Sequence, residues 1–117
     1  MNRRMNKVMA GYHILMILSA VDFRFNIHEE KIIRAYLVSE FPFHVDIDRE
    51  MQVISNLRPD EWEPHFLKAM DDFYDDATEE ERIHFLNFAV QLAKADNVIT
   101  KEENKFLNFL FENWEPA

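Results

Sequence analysis

The sequence predicts an all-α protein of about six helices, in which two related helix-loop-helix units pack as a single compact bundle. Hydrophobic residues make up 48% of the 117 residues and include 11 Phe, enough to bury the core of one domain over residues 1–117. A single Gly and four Pro leave few residues for the tight turns of a β protein. An internal repeat is the third observation that predicts this class.

The repeat is the motif Asp-x-x-apolar-(Asn/Thr)-x-x-Glu, which occurs at residues 22–29 and again at residues 96–103. A shift of 74 positions, from Asp22 to Asp96, superimposes the two copies without a gap. Apolar positions on both sides coincide at helical spacing. Each copy therefore predicts a helix that ends near the Asp, a short connection, and a second helix that begins at Asn26 or Thr100.

The first helix is predicted from an apolar run at residues 8–21, which follows basic residues and so imitates a secretory signal. The run contains Tyr12 and His13, lacks a convincing cleavage site and ends directly in the repeat. It is also too short to cross a bilayer. We interpret it as a buried core helix without a membrane span.

Between the two copies, apolar spacing predicts two further helices. Pro42 ends the helix of the first copy, and residues 46–57 form a short amphipathic segment. The next helix is predicted to begin near residues 60–64, because Pro is tolerated in a first turn, and to run to about Tyr74.

Three capping boxes mark helix starts. In a capping box, the first side chain and the Glu three residues later each accept a hydrogen bond from the other's backbone N–H. The predicted boxes pair Asn26 with Glu29, Thr100 with Glu103, and Thr78 with Glu81. Each cap is worth about 1 kcal/mol, so folding alone explains these residues.

The duplicated motif also contains the candidate metal site, formed by Asp22, Glu29, Asp96 and Glu103. Carboxylate oxygens are the ligands that Ca²⁺, Mg²⁺ and Mn²⁺ prefer. Each loop offers only two carboxylates and lacks the central Gly of an EF-hand, which favours a purely structural role. Since capping explains the glutamates, Asp96 and then Asp22 are the first residues to examine for a divalent cation.

The net charge limits which classes of partner the protein can bind. The chain has 22 acidic and 13 basic residues and a formal charge of -9, which disfavours nucleic acid and favours a protein partner with a basic surface. The densest acidic run lies at residues 71–81; we interpret it as a solvated corner, with docking of a basic peptide as the alternative. The absence of Cys excludes disulfides and thiolate chemistry, and it fits the cytoplasm.

Catalytic patterns are weak, and the sequence predicts a non-enzymatic protein. Glu81 and His84 have the spacing used in di-iron bundles, but that site needs a second Glu/His pair, and His13, His44 and His65 do not complete one. There is no nucleophile elbow and no Gly-rich phosphate loop. Aromatic residues on more than one face of the last helix leave open a covering partner or a homo-oligomer.

Residues 92–103, Leu-Ala-Lys-Ala-Asp-Asn-Val-Ile-Thr-Lys-Glu-Glu, resemble the TerB-like helical family, which includes tellurite-resistance TerB and the amino-terminal domain of DjlA-type co-chaperones. Residues 20–29 are similar to the same pattern. The resemblance implies an all-helical domain of two related halves, a role in stress response or complex assembly, and divalent-cation binding at the acidic loops. The chain departs from the family where a Gly usually follows the Asp, since Phe23 and Asn97 stand there.

Overall fold

The computed structural model describes residues 5–20, 27–41, 46–94 and 101–114. Within these ranges the chain forms six α-helices and one 3₁₀ turn and contains no β-strand, which confirms the all-α prediction. The elements are α1 (Lys7–Ala20), α2 (Ile27–Glu40), α3 (Ile47–Ser55), the 3₁₀ turn (Pro59–Glu61), α4 (Trp62–Asp76), α5 (Glu79–Lys94) and α6 (Lys101–Trp114). None of these helices combines the length and apolar character needed to cross a bilayer.

The central element is α1, which contacts each of the other five helices. Every residue from Ala10 to Leu18 is buried. A helix that is apolar on all faces must be surrounded by other elements, as predicted for this run. Gly11 permits the close approach, because a Cβ at this position would lie 3.0 Å from the Phe85 ring and 3.2 Å from Leu37.

The surrounding helices each turn one apolar face toward α1. Aromatic rings fill the centre: the Phe73 ring lies 4.4 Å from that of Phe85 and 5.0 Å from that of Trp114, between ring centroids. Phe66 contacts Phe106 edge to face at 4.8 Å. The eight Phe of the described residues therefore all belong to one continuous core or pack against it.

The described parts of the helices in the two copies stand at the same shift as the sequence repeat. From the end of α1 at Ala20 to the end of α5 at Lys94 is 74 residues, and α6 begins and ends 74 residues after α2. The predicted caps at residues 26 and 100, and the connections between the two helices of each copy, lie outside the described residues. Within the described residues, each copy of the repeat contributes one helix before its connection and one helix after it.

The segment between the copies also agrees with the sequence. Asp46 caps α3, because its side chain accepts a hydrogen bond from the Arg49 N–H at 3.2 Å. The capping box before α5 is formed as predicted: the Thr78 N–H donates to Glu81 at 2.8 Å, and the Glu81 N–H donates to Thr78 Oγ1 at 3.1 Å.

Candidate functional site

The predicted metal site falls mainly outside the described residues. Asp22 and Asp96 lie there, so their separation stays untested. Glu29 and Glu103 are in the first turns of α2 and α6, where both are half-buried. Across the described ranges no group of three or more His, Asp or Glu residues has a geometry that could hold a metal ion. The cation site therefore remains a prediction from the sequence.

Glu81 and His84 face different partners. The Glu81 carboxylate accepts two hydrogen bonds from Lys7 Nζ, at 2.9 and 2.8 Å. Burial raises the pKa of Glu81, but the hydrogen bonds from Lys7 and Thr78 outweigh it and hold that pKa below its ordinary value. His84 is exposed and its Nδ1 lies 3.2 Å from a Glu40 carboxylate oxygen. These two residues are thus used in separate contacts between helices.

The acidic run at residues 71–81 is divided between two tasks. Asp72 accepts a hydrogen bond from the Met5 N–H at 3.0 Å, and Asp76 accepts one from the Lys7 N–H at 2.9 Å. These carboxylates lie at the amino-terminal end of α1, where free N–H groups and the helix dipole favour negative charge. The run is therefore not only a solvated corner, because part of it caps the central helix.

The rest of the run borders two neighbouring depressions on the surface. The first, the α5–α6 groove, encloses about 410 Å³; its apolar floor is formed by Ile83, Leu86, Phe111 and Trp114, and Glu79, Arg82 and Asn87 also line it. The second, the acidic cleft, encloses about 360 Å³ and is lined by Asp71, Tyr74, Asp75, Asn113 and Trp114. Trp114 lines both, so an apolar surface and an acidic surface adjoin each other.

Arg82 is held at the edge of the groove by the end of α4. Its guanidinium lies 4.1 Å from the centre of the Tyr74 ring. It donates hydrogen bonds to the carbonyl oxygens of Ala77, at 3.0 Å, and of Tyr74, at 3.5 Å. A cation at this place satisfies carbonyl groups at the carboxyl end of a helix.

A buried polar chain joins three helices, and sequence reasoning missed it. His13 Nε2 lies 2.8 Å from a Glu50 carboxylate oxygen, and His13 Nδ1 lies 2.5 Å from His65 Nε2. His13 and Glu50 are 1% and 2% exposed, whereas His65 is half-buried. We call Glu50, His13 and His65 the histidine chain.

A second buried polar group lies beside it, and we call it the arginine cluster. Tyr12 Oη donates to Glu30 at 2.8 Å, and Arg34 donates to the same Glu30 oxygen at 2.8 and 3.1 Å. Arg34 also donates to Asp48 at 3.0 Å and so joins α2 to α3. Burial and the bond to Glu30 raise the pKa of Tyr12, and the bond to Glu30 is the main reason why the pKa of Arg34 is raised.

The sequence contains a signal for these two buried polar groups, which is the position of their glutamates relative to apolar residues at helical spacing. Glu30 is three positions before Ile33 and seven before Leu37, and Glu50 is three positions after Ile47 and four before Ile54. Both glutamates therefore stand on the buried face of their helix. A carboxylate on such a face needs a buried partner, since an unpaired charge there is costly.

Comparisons of this chain with protein-family models, with curated proteins and with solved structures found no match in any of the three.

Proposed function

We propose that this chain is a non-enzymatic, TerB-like interaction module of the cytoplasm that binds a basic amphipathic segment of a partner protein in the α5–α6 groove. The observation that carries the proposal is the apolar groove beside the acidic cleft. The duplicated motif and the all-α fold support the TerB-like part of the proposal. The absence of Cys supports a reducing compartment.

The groove exposes large apolar side chains to solvent. Ile83 is 46% exposed in the groove, and Phe111 is only partly covered. The lining residues come from two helices, which gives the groove a fixed shape. An apolar depression with a polar rim is the kind of surface that binds another protein.

The acidic side of the site favours a partner segment with positive charge. Asp71 and Asp75 line the cleft, and Glu79 lines the adjoining end of the groove. Among the described residues, these linings contain one basic side chain, Arg82, and it donates a hydrogen bond to the Ala77 carbonyl oxygen. Together with the formal charge of -9, this arrangement favours lysine and arginine at the edge of the bound segment.

A helical segment fits both sides at once. Apolar residues at helical spacing would enter the groove, and basic residues on the neighbouring face would lie along the cleft. We therefore assign the predicted basic protein partner to the α5–α6 groove and the acidic cleft.

The test uses a fluorescent peptide of about 18 residues, five helical turns, with leucine on one face and lysine on the other. We expect it to bind, and we expect Ile83→Ser to weaken binding by about tenfold, because an apolar anchor contributes roughly 1.5–3 kcal/mol when buried. Val38→Ser is the matched control, since Val38 is 62% exposed on α2, away from the groove. Fluorescence anisotropy measures both affinities.

Charge is tested separately. Asp71→Asn combined with Asp75→Asn should weaken the lysine peptide more than Asp60→Asn combined with Glu102→Gln, which removes the same charge elsewhere. A peptide with glutamate in place of lysine should not bind. Equal effects of Ile83→Ser and Val38→Ser, or equal binding of both peptides, would exclude the groove as the docking site.

A further inference from the structure

The acidic cleft combines aromatic walls with carboxylates. Tyr74, which is 44% exposed, and Trp114, which is 5% exposed, supply the aromatic surface. Asp71 and Asp75 supply the carboxylates, and Asn113 supplies an amide. The cleft encloses about 360 Å³, which is small among ligand pockets and suits the end of one side chain.

Three polar groups of the cleft present hydrogen-bond acceptors. Asn113 Nδ2 donates to the Phe109 carbonyl oxygen at 2.7 Å, which leaves the amide oxygen of Asn113 as an acceptor. The carboxylates of Asp71 and Asp75 accept hydrogen bonds only, and their spacing of four positions places both on one face of α4. A ligand that matches these groups carries positive charge and several donors.

The protein itself contains an example of a cation on the Tyr74 ring. The Arg82 guanidinium lies 4.1 Å from the centre of that ring. Arg82 lines the α5–α6 groove, whereas Tyr74 lines the cleft, so this internal guanidinium lies on the groove side of the ring. Among the described residues that line the cleft, none is basic. The cation of the cleft must therefore come from the ligand.

From this arrangement we propose that the acidic cleft is a subsite for one arginine side chain of the partner segment, whose guanidinium packs on Tyr74 and donates to the acceptors of the cleft. The inference rests on the proposed function, which places a basic segment beside the cleft, and it names the residue type that the cleft selects. Trp114 lines both depressions, so a segment seated in the groove carries its basic side chains to the edge of the cleft.

The chemistry of the cleft favours arginine over lysine. A guanidinium is planar, has five N–H donors, stacks on aromatic rings and is weakly hydrated. An ammonium is a compact charge that is strongly hydrated, so it loses more hydration when it enters the cleft and cannot stack on Tyr74 as a plane. Both cations are attracted by Asp71 and Asp75, but only the guanidinium uses the ring and the separated acceptors together.

The test uses three small probes, the N-acetyl amides of arginine, lysine and citrulline, in two-dimensional NMR of the isotope-labelled protein at constant ionic strength. The arginine probe should shift the indole N–H signal of Trp114 and the side-chain amide signals of Asn113, with about fivefold higher affinity than the lysine probe. Citrulline has the shape of arginine without its charge and should not bind. Trp62 is the internal control, because it begins α4 and lines neither depression.

Two pairs of variants separate the contributions of charge and ring. Asp71→Asn should weaken binding of the arginine probe by about threefold, whereas Glu102→Gln, at an exposed position of α6, should leave the affinity unchanged. Tyr74→Leu should reduce the preference for arginine over lysine to about one, and Tyr74→Phe should preserve it, because the ring is kept. Asp71 and Tyr74 are both exposed, so these changes leave the core intact.

Equal affinities of the arginine and lysine probes for the unmodified protein would overturn the subsite, as would equal shifts of the Trp114 and Trp62 signals. The probes have no leucine face and therefore test the cleft apart from the groove. If the arginine probe binds but the leucine-lysine peptide does not, the subsite stands and the proposed function fails. If the peptide binds through Ile83 and the cleft does not distinguish arginine from lysine, the proposed function stands and the subsite fails.

Discussion

At the scale of single residues, polar side chains on buried helix faces are the features that this fold must accommodate. Glu30 is 3% exposed but receives three hydrogen bonds from Tyr12 and Arg34, so its charge is compensated. Tyr36 differs, because its buried hydroxyl has no hydrogen-bond partner among the described residues, and its ring stacks on that of Phe88 at 3.9 Å between centroids. The two tyrosines therefore make a natural comparison.

We predict that Tyr12→Phe lowers the free energy of unfolding by about 1.5–3 kcal/mol, because it removes a hydrogen bond to a buried carboxylate. Tyr36→Phe removes the same atom without loss of a bond and should be neutral or stabilising. Denaturant unfolding of both variants measures the difference. A Tyr36→Phe protein as unstable as Tyr12→Phe would show that the Glu30 contact is not what stabilises the fold.

At the scale of secondary-structure elements, helix ends are satisfied by residues from other helices as well as from their own. The cap of α5 is local, between Thr78 and Glu81, and was predictable from four consecutive residues. The start of α1 instead depends on Asp72 and Asp76 of α4. Acidic residues near the carboxyl end of a helix are unfavourable for that helix, so their presence on α4 is explained by the neighbouring end of α1.

We predict that Asp76→Ala lowers the free energy of unfolding by about 1 kcal/mol, through loss of the hydrogen bond to the Lys7 N–H. Asp71→Ala is the control: it removes the same charge from the same helix, but Asp71 lines the acidic cleft. Asp71→Ala should be neutral or slightly stabilising, because it relieves repulsion with the α4 dipole. The midpoints of urea unfolding of the two variants measure the difference. Equal midpoints would contradict the capping role of Asp76.

At the scale of the whole molecule, the duplication packs as two units around a shared centre. In each unit the two helices contact each other, α1 with α2 and α5 with α6, and α1 also contacts both helices of the second unit. The four motif carboxylates form one cation site only if this packing brings the two loops together. The prediction for Asp22, Glu29, Asp96 and Glu103 is therefore a statement about the whole molecule.

For the cation site we predict that Ca²⁺, Mg²⁺ or Mn²⁺ raises the melting temperature, since a ligand of the folded state adds about 2.7 kcal/mol at a hundredfold excess over its dissociation constant. Asp96→Asn should abolish the increase, and Asp22→Asn should reduce it. Asp71→Asn serves as a control for nonspecific effects of charge. Melting curves that superimpose with and without each ion would remove the cation site and leave the motif as a helix-capping device.

The sequence by itself determined the local features of this protein. Helical spacing and start and stop residues predicted six helices and the cap at Thr78, because each depends on contacts within a few residues along the chain. The positions of Glu30 and Glu50 on buried faces were also readable from the spacing. Their partners were not.

Only the tertiary structure decided which distant residues meet. His13 pairs with residues 37 and 52 positions away, and Lys7 bonds to Asp76 across 69 positions. Periodicity states which face of a helix is buried but not which helix covers it, so the partner of a buried polar group depends on the packing of the whole bundle. The histidine chain and the groove beside the acidic cleft both arise at that level.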